Sequence, residues 1–330
     1  ETRPDWVSQE SIDSMLDLGA TRVEIGVQSL SDEILEKVGR GHGVAETAQA
    51  SKMLRDSGLK VCHHIMPGLP GATPQSDLET FDLLFTDPRF CPDMLKIYPT
   101  IVVENTKLYE WWLAGEYDPY TADQIVDLLS MAVSRMPEYV RIQRMQRDIP
   151  LHQIEAGLDK GNLRELVHQK MQSDGLRNPT IRFREVGHFT LRSKQTVDLD
   201  TIEPVRREYT ASDGKEFFLS YEVPDLDVIL AFLRLRLPSE KAHRLEISDG
   251  PCSLIRELRV YGPVVEIGER DSEAWQHLGL GEKLLETAEQ ISRDELGVDR
   301  ILVNSGVGVK EYYRNLGFQD LGPFLSKNLR

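Results

Sequence analysis

The sequence lacks any apolar run long enough to cross a membrane. A membrane-spanning helix needs about 20 mostly apolar residues, and the opening residues ETRPDWVSQE also lack the basic and apolar blocks of a secretory leader. Hydrophobic residues make up 40% of the chain and charged residues 28%, which is typical of a globular protein. We therefore expect a cytoplasmic protein that does not contact a membrane.

Cysteine is scarce, with only Cys62, Cys91 and Cys252 in 330 residues. The three lie far apart and form no C-x-x-C pair, so the usual zinc spacing is absent. Structural disulfides are not expected in the cytoplasm. We predict no metal site built from residues of this chain.

Positive charge is also limited, and the formal net charge is −15. That balance alone argues against a nucleic-acid partner. The charge is uneven, however, because residues 135–192 contain 11 Lys and Arg against 7 Asp and Glu, a net charge of +4. This basic middle indicates either a local site for a polyanion or a solvated helical surface.

Residues 8–98 alternate between helical and strand patterns with short connections, which is typical of parallel βα units. Ligands bind at the carboxyl ends of the strands in such folds. The candidate site loops are therefore 26–29, 64–71 and 97–100. A helix is predicted over Thr121–Met136, followed by a mostly helical connector.

After residue 200 the pattern changes to an α+β domain with mostly antiparallel strands. REYTASDGKEFFLSYEV predicts a hairpin that turns at Asp213-Gly214. VILAFLRLRLP and SLIRELRVYG alternate apolar and polar residues, as antiparallel strands do. A glycine loop with its helix, the strand RILVNSG and the helix VGVKEYYRNLG complete the domain.

The glycine loop has the spacing Gln276-x-x-Gly279-x-Gly281 and opens an amphipathic helix. A helix N-terminus carries unpaired N–H groups and partial positive charge, and glycine lets a phosphate approach them closely. The pattern is not a dinucleotide fingerprint, because no βαβ unit surrounds it. It indicates a phosphate site.

The order of hairpin, strand ending RVYG, glycine loop, strand ILVNSG and helix with Tyr312-Tyr313 resembles the GNAT acetyltransferase fold. The resemblance implies that the loop binds the pyrophosphate of acetyl-CoA. It also implies that strand 258–262 pairs with the pantetheine arm, and that Tyr312 or Tyr313 faces the thioester as a catalytic residue. Core packing of the tyrosines is the alternative. The expected acetyl-CoA contacts are Leu258, Val260, Gln276, His277, Leu278, Gly279, Leu280, Gly281, Asn304 and Tyr312.

The stretches VEIGVQS, GRGH, HIMPGLPG and LKIYPT resemble the later strands of a radical S-adenosylmethionine barrel. Together with VRIQRMQRDIP, FREVGH and RELRVYG, the chain resembles the Elongator catalytic subunit family. The expected fold is thus α/β plus α+β, a partial TIM-like barrel packed on a GNAT domain. The expected domains are 1–150 for the barrel portion with its helical extension, 151–198 for the basic connector and 199–330 for the acetyl-CoA-binding domain.

The same resemblance implies an S-adenosylmethionine pocket and a catalytic Lys96 lining the radical site. Pairing with Arg22 is the alternative for Glu24, and a structural or pocket-lining role is expected for the His63-His64 pair because adjacent strand residues point to opposite faces. The expected S-adenosylmethionine contacts are Glu24, Gln28, Ser29, His64, Pro67 and Gly68.

Radical chemistry needs three cysteines in a short loop to hold a 4Fe-4S cluster. This sequence has no such loop, so we expect the cluster ligands elsewhere in a longer protein. Family members also carry zinc-ligand cysteines before or within REVG, where this chain has LRNPTIRFREVG. No zinc is expected there.

The basic middle is expected to bind tRNA through phosphates. Arg141, Arg144 and Arg147 recur every three residues, which would place them in one stripe on a helix that can follow phosphates. Arg182 and Arg184 alternate with Ile181 and Phe183, which would place the two arginines on one face of a strand. Internal ion pairs with Glu138, Asp148 and Glu185 are the alternative. The expected tRNA contacts are Arg141, Arg144, Arg147, Arg182 and Arg184.

The family implies formation of 5-carboxymethyluridine at wobble position 34, with acetyl-CoA cleavage triggered when the tRNA anticodon loop docks. The expected partners are tRNA, acetyl-CoA, and a second copy or accessory Elongator subunits. One rival is a protein lysine acetyltransferase, with Glu257 or Glu266 as its base. The other is a tRNA-binding scaffold without activity.

Overall fold

The computed structural model describes residues 1–195, 197–262 and 279–330. The chain divides into two compact units that each combine several segments. Unit 1 contains Glu1–Trp6, Glu24–Gln49 and Cys62–Thr180, and unit 2 contains Val7–Val23, Ala50–Val61 and Ile181–Arg330. Among the described residues, every helix is too short or too polar to span a bilayer.

A four-stranded sheet with the order β1-β2-β3-β5 organises the first half of the chain. Strand β2 pairs parallel with β3, and β3 pairs parallel with β5, as the sequence pattern predicts. Two short strands, β4 and β6, form a separate antiparallel pair. The strands are β1 Arg22–Gln28, β2 Lys60–Ile65, β3 Met94–Ile97, β4 Val102–Val103, β5 Arg141–Arg144 and β6 Ile154–Ala156.

Seven α-helices lie between residues 9 and 173, a stretch that the structure describes throughout; α1 belongs to unit 2, and α3 is divided between the two units. Capping boxes at Ser8, Thr73 and Thr121 satisfy N–H groups that the helices α1, α4 and α6 leave unpaired. The predicted helix over Thr121–Met136 is confirmed as α6, which ends two residues earlier. The helices are α1 Gln9–Asp17, α2 Asp32–Lys37, α3 Val44–Asp56, α4 Pro74–Thr86, α5 Lys107–Leu113, α6 Ala122–Ser134 and α7 Leu163–Ser173.

Unit 2 is built on a seven-stranded sheet with the order β12-β13-β11-β10-β9-β8-β7. Its pairs are antiparallel apart from β10 with β11, so the predicted α+β class is confirmed. The strands are β7 Glu203–Ala211, β8 Gly214–Val223, β9 Val228–Leu237, β10 Cys252–Val260, β11 Arg300–Val303, β12 Gln319–Leu321 and β13 Phe324–Asn328. The helices are α8 Ile181–Arg184, α9 Val186–Ser193, α10 Leu245–Ser248, α11 Leu280–Gln290 and α12 Lys310–Asn315.

The β7–β8 hairpin turns one residue earlier than the sequence suggested. Ser212 and Asp213 form the two-residue loop with φ of 50° and 60°, and Ala211 pairs with Gly214. Gly214 is needed for a different reason, because a Cβ there would lie 2.5 Å from the guanidinium carbon of Arg236. The glycine makes room for a buried cation and does not supply the turn conformation.

Charged side chains lie inside unit 2. The alternating pattern of β9 predicts one solvated face, but every residue from Val228 to Arg236 is buried. Arg236 donates to Asp56 and to Glu216 at 2.8 Å, and Glu216 also accepts from Arg256 at 2.8 Å. Arg55 donates to the same carboxylate at 3.2 Å. We call these five residues the Glu216 cluster.

Replacing Glu216 with glutamine should destabilise the protein strongly. The carboxylate is fully buried and faces three guanidinium groups, and losing one partner of a buried ion network costs about 3–5 kcal/mol. Urea denaturation followed by circular dichroism measures the change. The matched control is Glu295→Gln, which breaks an exposed pair with Arg206 and should leave the midpoint unchanged. Equal midpoints for both variants would contradict a structural role of the Glu216 cluster.

Candidate functional site

Helix α11 begins where the glycine loop predicts a phosphate site. Gly279 is the N-cap residue with φ of 66°, a left-handed conformation that glycine adopts at little cost. A Cβ on Gly281 would lie 3.0 Å from the Tyr312 hydroxyl, 3.6 Å from Val260 and 3.9 Å from Leu258. The structure therefore brings a glycine, a phenol and two β10 side chains together at a helix N-terminus.

The two tyrosines of α12 occupy different environments. Tyr312 is partly exposed, while Tyr313 is buried in the core of unit 2 and contacts Phe318 edge-on. Burial raises the pKa of the Tyr312 phenol, and the carboxylate of Glu282 raises it further. The phenol is therefore protonated at neutral pH and can donate a hydrogen bond.

Other expected acetyl-CoA contacts have mixed positions. The side chain of Leu280 is buried in the core, so only its backbone faces the helix end. Asn304 uses its amide to donate to Gly58 O at 3.3 Å and to Ala20 O at 3.4 Å. Gln276, His277 and Leu278 lie outside the described residues. The parts of the site that are described fit an acyl-CoA at Gly279, Gly281 and Tyr312.

A second polar cluster lies on the first sheet. Glu24 on β1 accepts from His64 Nε2 at 2.8 Å and pairs with Lys96 on β3. Lys96 also donates to Glu1 at 2.7 Å. Burial alone would lower the pKa of Lys96, but the hydrogen bonds to the two glutamates outweigh it and raise that pKa. Three residues predicted for one pocket therefore lie in direct contact.

Gln28 is the last residue of β1, and its side chain is buried. Its φ of 68° is left-handed, and its buried Oε1 has no hydrogen-bond partner among the described residues. A Cβ on Gly26 would lie 2.7 Å from Gln28 Nε2, so that glycine makes room for the amide. A buried carbonyl oxygen costs free energy unless a hydrogen-bond donor pairs with it. This atom fits a polar group of S-adenosylmethionine.

The loop 66–71 follows β2 and is held by residues that sequence reasoning missed. Gly68 N donates to Asp77 at 2.7 Å, and the Tyr117 hydroxyl donates to Gly68 O at 2.7 Å. Tyr120 donates to the same Asp77 oxygen at 2.8 Å. Burial raises the pKa of Asp77 to about 6, although both hydrogen bonds act to lower it.

The described residues offer one group of possible metal ligands. Single ligand atoms of Glu24, Cys62 and His64 lie within 4.8 Å of one another. The Lys96 ammonium already pairs with Glu24 there, so the carboxylate has its cation and we assign no metal. The three cysteines are buried and lie far apart in the sequence, which contains no three-cysteine loop. The residues of this chain do not fit an iron–sulfur cluster.

Two predictions for the arginines are wrong. Arg141 and Arg144 begin and end the strand β5 and not a helix, and Arg182 lies on helix α8 and not on a strand. Arg184 is buried and pairs with Glu222 and Asp227, so its guanidinium cannot reach a phosphate. The buried residues of α8 are Ile181 and Arg184, whose spacing of three is that of one helix face and not that of a strand.

Arg144 and Arg147 remain available at the surface. Arg144 pairs with Asp148, as the alternative in the sequence analysis expects. Arg147 stacks on the Tyr98 ring, with its guanidinium carbon 5.4 Å from the ring centre. An exposed guanidinium positioned over an aromatic ring is well placed for a phosphate or a base.

Three protein families match consecutive parts of the chain. The Radical SAM superfamily matches residues 1–84, the Radical SAM C-terminal domain matches 92–173, and the acetyltransferase (GNAT) family matches 186–318. A solved structure, that of the archaeal Methanocaldococcus infernus Elp3 with N-terminus deletion (1-46), is 47% identical with a TM-score of 0.93. The match covers 99% of this chain and 76% of that one.

Curated relatives match over the whole of this chain. The tRNA uridine(34) acetyltransferase of Methanocaldococcus infernus is 48% identical, and the chain covers 61% of it. Elongator complex protein 3 of Saccharomyces cerevisiae is 44% identical, with 59% covered. The chain thus spans about 60% of the length of these two relatives, and 71% of the Dehalococcoides mccartyi tRNA uridine(34) acetyltransferase, which is 46% identical. The chain belongs to the Elongator complex protein 3 family of tRNA uridine(34) acetyltransferases.

Proposed function

We propose that this protein modifies uridine 34 of tRNA to 5-carboxymethyluridine, using acetyl-CoA and S-adenosylmethionine. The names of its relatives support the tRNA substrate and the acetyl donor. The observation that carries the proposal is the position of the Tyr312 hydroxyl at the start of α11, 3.0 Å from where a Cβ of Gly281 would lie. The proposed domains are 1–150 for the barrel portion, 151–198 for the connector and 199–330 for acetyl-CoA. The tRNA substrate implies a cytoplasmic protein.

Residues at the start of α11 would hold acetyl-CoA. The backbone N–H groups after Gly279 bind the pyrophosphate, because the first turn of a helix leaves them without acceptors. Leu258 and Val260 on β10 line the path of the pantetheine arm. The Tyr312 phenol donates a hydrogen bond to the leaving thiolate when the thioester is cleaved. Water adds to the acyl carbon in this step and CoA leaves as the free thiol, and docking of tRNA triggers the cleavage.

Residues at the carboxyl ends of β1 to β3 would hold S-adenosylmethionine, whose bound form supplies radical chemistry. Gln28 Oε1 accepts from its polar groups, and Ser29, Pro67 and Gly68 line the nucleoside pocket. Glu24 and His64 fix the Lys96 ammonium at the pocket wall. Lys96 orients the acetyl unit or the uridine by donating hydrogen bonds.

The lysine acetyltransferase remains the second candidate. It requires a carboxylate base near the thioester. Glu257 accepts from Arg234 at 3.0 Å and lies 3.6 Å from Arg259, so it is engaged in ion pairs and is a poor base. Glu266 lies outside the described residues. The engaged state of Glu257 favours the tRNA reaction.

Tyr312→Phe should slow the tRNA-stimulated release of CoA from acetyl-CoA by about a hundredfold, because a proton donor contributes on the order of 10²-fold or more. The assay follows free thiol with and without tRNA. Tyr313→Phe is the matched control and should act weakly, since its ring is buried in the core. A larger loss in Tyr313→Phe would assign the thioester contact to that residue. Acetylation of a lysine peptide without any tRNA effect would favour the second candidate.

Arg147→Ala should weaken tRNA binding about equally for different tRNA sequences and reduce the slope of log Kd against log salt by about 1. The reason is that one phosphate contact is lost while base readout is untouched. Filter binding at several salt concentrations measures both quantities. Arg89→Ala removes another exposed arginine, paired with Asp87, and should change neither. Identical slopes for wild type and Arg147→Ala would exclude Arg147 from the tRNA surface.

A further inference from the structure

Asp77 is a buried carboxylate without a cation. It lies in the first turn of α4 and is only 4% exposed. Among the described residues it makes no ion pair, and its oxygen Oδ2 accepts from Gly68 N and from the Tyr120 hydroxyl. A buried charge with no opposite charge is expensive. The hydrogen bond from Gly68 N to Asp77 indicates that this carboxylate holds the 66–71 loop in place.

The loop it holds has a conformation that needs support. Gly68 has φ of 81°, and a Cβ there would lie 3.2 Å from the Tyr120 ring. Asp77 fixes the N–H of Gly68, and Tyr117 fixes the C=O of the same residue. Both polar groups of one peptide position are therefore bound by side chains that come from outside the loop.

We propose that Asp77, Tyr117 and Tyr120 are positioning residues that hold the 66–71 loop in the conformation that receives S-adenosylmethionine, an inference that rests on the proposed function. None of the three has to touch the ligand. They act through Gly68, because the hydrogen bonds to its N–H and its C=O determine where Pro67 and Gly68 lie. The hold is stronger when Asp77 is ionised, because a carboxylate accepts hydrogen bonds more strongly than a carboxylic acid.

We call Asp77, Tyr117 and Tyr120 around Gly68 the clamp. Its hold on the 66–71 loop should weaken as the pH falls through about 6. Among the described residues, the amide of Gly68 and the phenol of Tyr120 act on Asp77 and are both uncharged, and the carboxylate of Asp118 acts on the neighbouring Tyr117. The change of charge near pH 6 is therefore assigned to the proton on Asp77. With a pKa of about 6, Asp77 is ionised above pH 7 and protonated below pH 5. Affinity for the ligand is highest above pH 7 and falls as the pH drops through 6. Ligand binding must in turn lower the pKa of Asp77.

Protonation of Asp77 in acid would not lower the affinity by unfolding the protein. The pKa of Asp77 in the folded chain lies above the usual 3.8, so the folded state binds the proton more tightly than the unfolded state. The contribution of Asp77 to folding stability therefore decreases as the pH rises from about 4 to about 6. Acid weakens the clamp while it favours the fold at this residue.

The test uses S-adenosylhomocysteine as the probe and the cluster-loaded full-length protein. Calorimetric titration between pH 5 and pH 8 gives its affinity, and hydrogen exchange gives the protection of the Gly68 amide. Asp77→Asn should bind the probe about tenfold more weakly at pH 7.5, show a smaller fall in affinity between pH 7 and pH 5 than the unsubstituted protein, and exchange Gly68 faster. Tyr120→Phe removes a donor that favours the carboxylate, so the midpoint should move to a pH above 6.

Matched controls separate the clamp from general damage. Asp82 lies on the same helix as Asp77, and Asp82→Asn breaks an exposed ion pair with Arg135. Tyr109 lies on α5, and Tyr109→Phe removes a phenol hydroxyl there. Both should retain wild-type affinity and pH dependence. Unchanged exchange and affinity in Asp77→Asn would overturn the clamp and leave the proposed function intact. Faster exchange with unchanged affinity would remove the loop from the S-adenosylmethionine pocket, and so overturn that part of the proposed function together with this inference.

Discussion

The compensation of buried charge by Glu216 is the constraint on which unit 2 depends. One fully buried carboxylate serves three guanidinium groups, from Arg55, Arg236 and Arg256. Asp56 adds a second anion, whose pKa burial would raise but Arg236 and Ser239 keep low. Because each ion is stable only with the others in place, residues 50–61 must fold together with the sheet. That requirement explains why a segment from the early chain belongs to the same unit as residues 181–330.

The elements of the fold could be predicted largely from local signals. Helices with a capping residue and an apolar period, such as α4 and α6, appear where expected, because both signals are contained in one stretch of chain. The face of a strand is harder to predict, since alternation reports polarity but not the partner. The arginines of β9 look solvent-facing by their spacing, but anions distant in sequence compensate them. The same limit explains the error at Arg184, whose partners Glu222 and Asp227 lie about 40 residues away.

The candidate site shows the same division. Gln28 ends β1, whereas Glu24 and Lys96 lie within β1 and β3, and the family resemblance named all three. Gly281 could be named because glycine at a helix start is conspicuous. Asp77 and Tyr120 escaped notice, since nothing local marks them as partners of Gly68. One signal was present in the sequence: a Pro-Gly loop that needs a left-handed glycine, followed by an acid in the first turn of the next helix. Such an acid is more often a solvated helix residue, so burial had to be observed.

Gly68 and Gly281 make similar use of a missing Cβ. A tyrosine from a distant segment occupies the space beside each of them, Tyr120 with its ring and Tyr312 with its hydroxyl. In both places an aromatic side chain occupies the volume that a side chain at the glycine would need. A Cβ on Gly68 would lie 3.2 Å from the Tyr120 ring, and a Cβ on Gly281 would lie 3.0 Å from the Tyr312 hydroxyl. Each glycine is therefore coupled to its tyrosine by sterics, because a larger residue at the glycine would have to displace the tyrosine, and this coupling follows without reference to the chemistry of a cofactor.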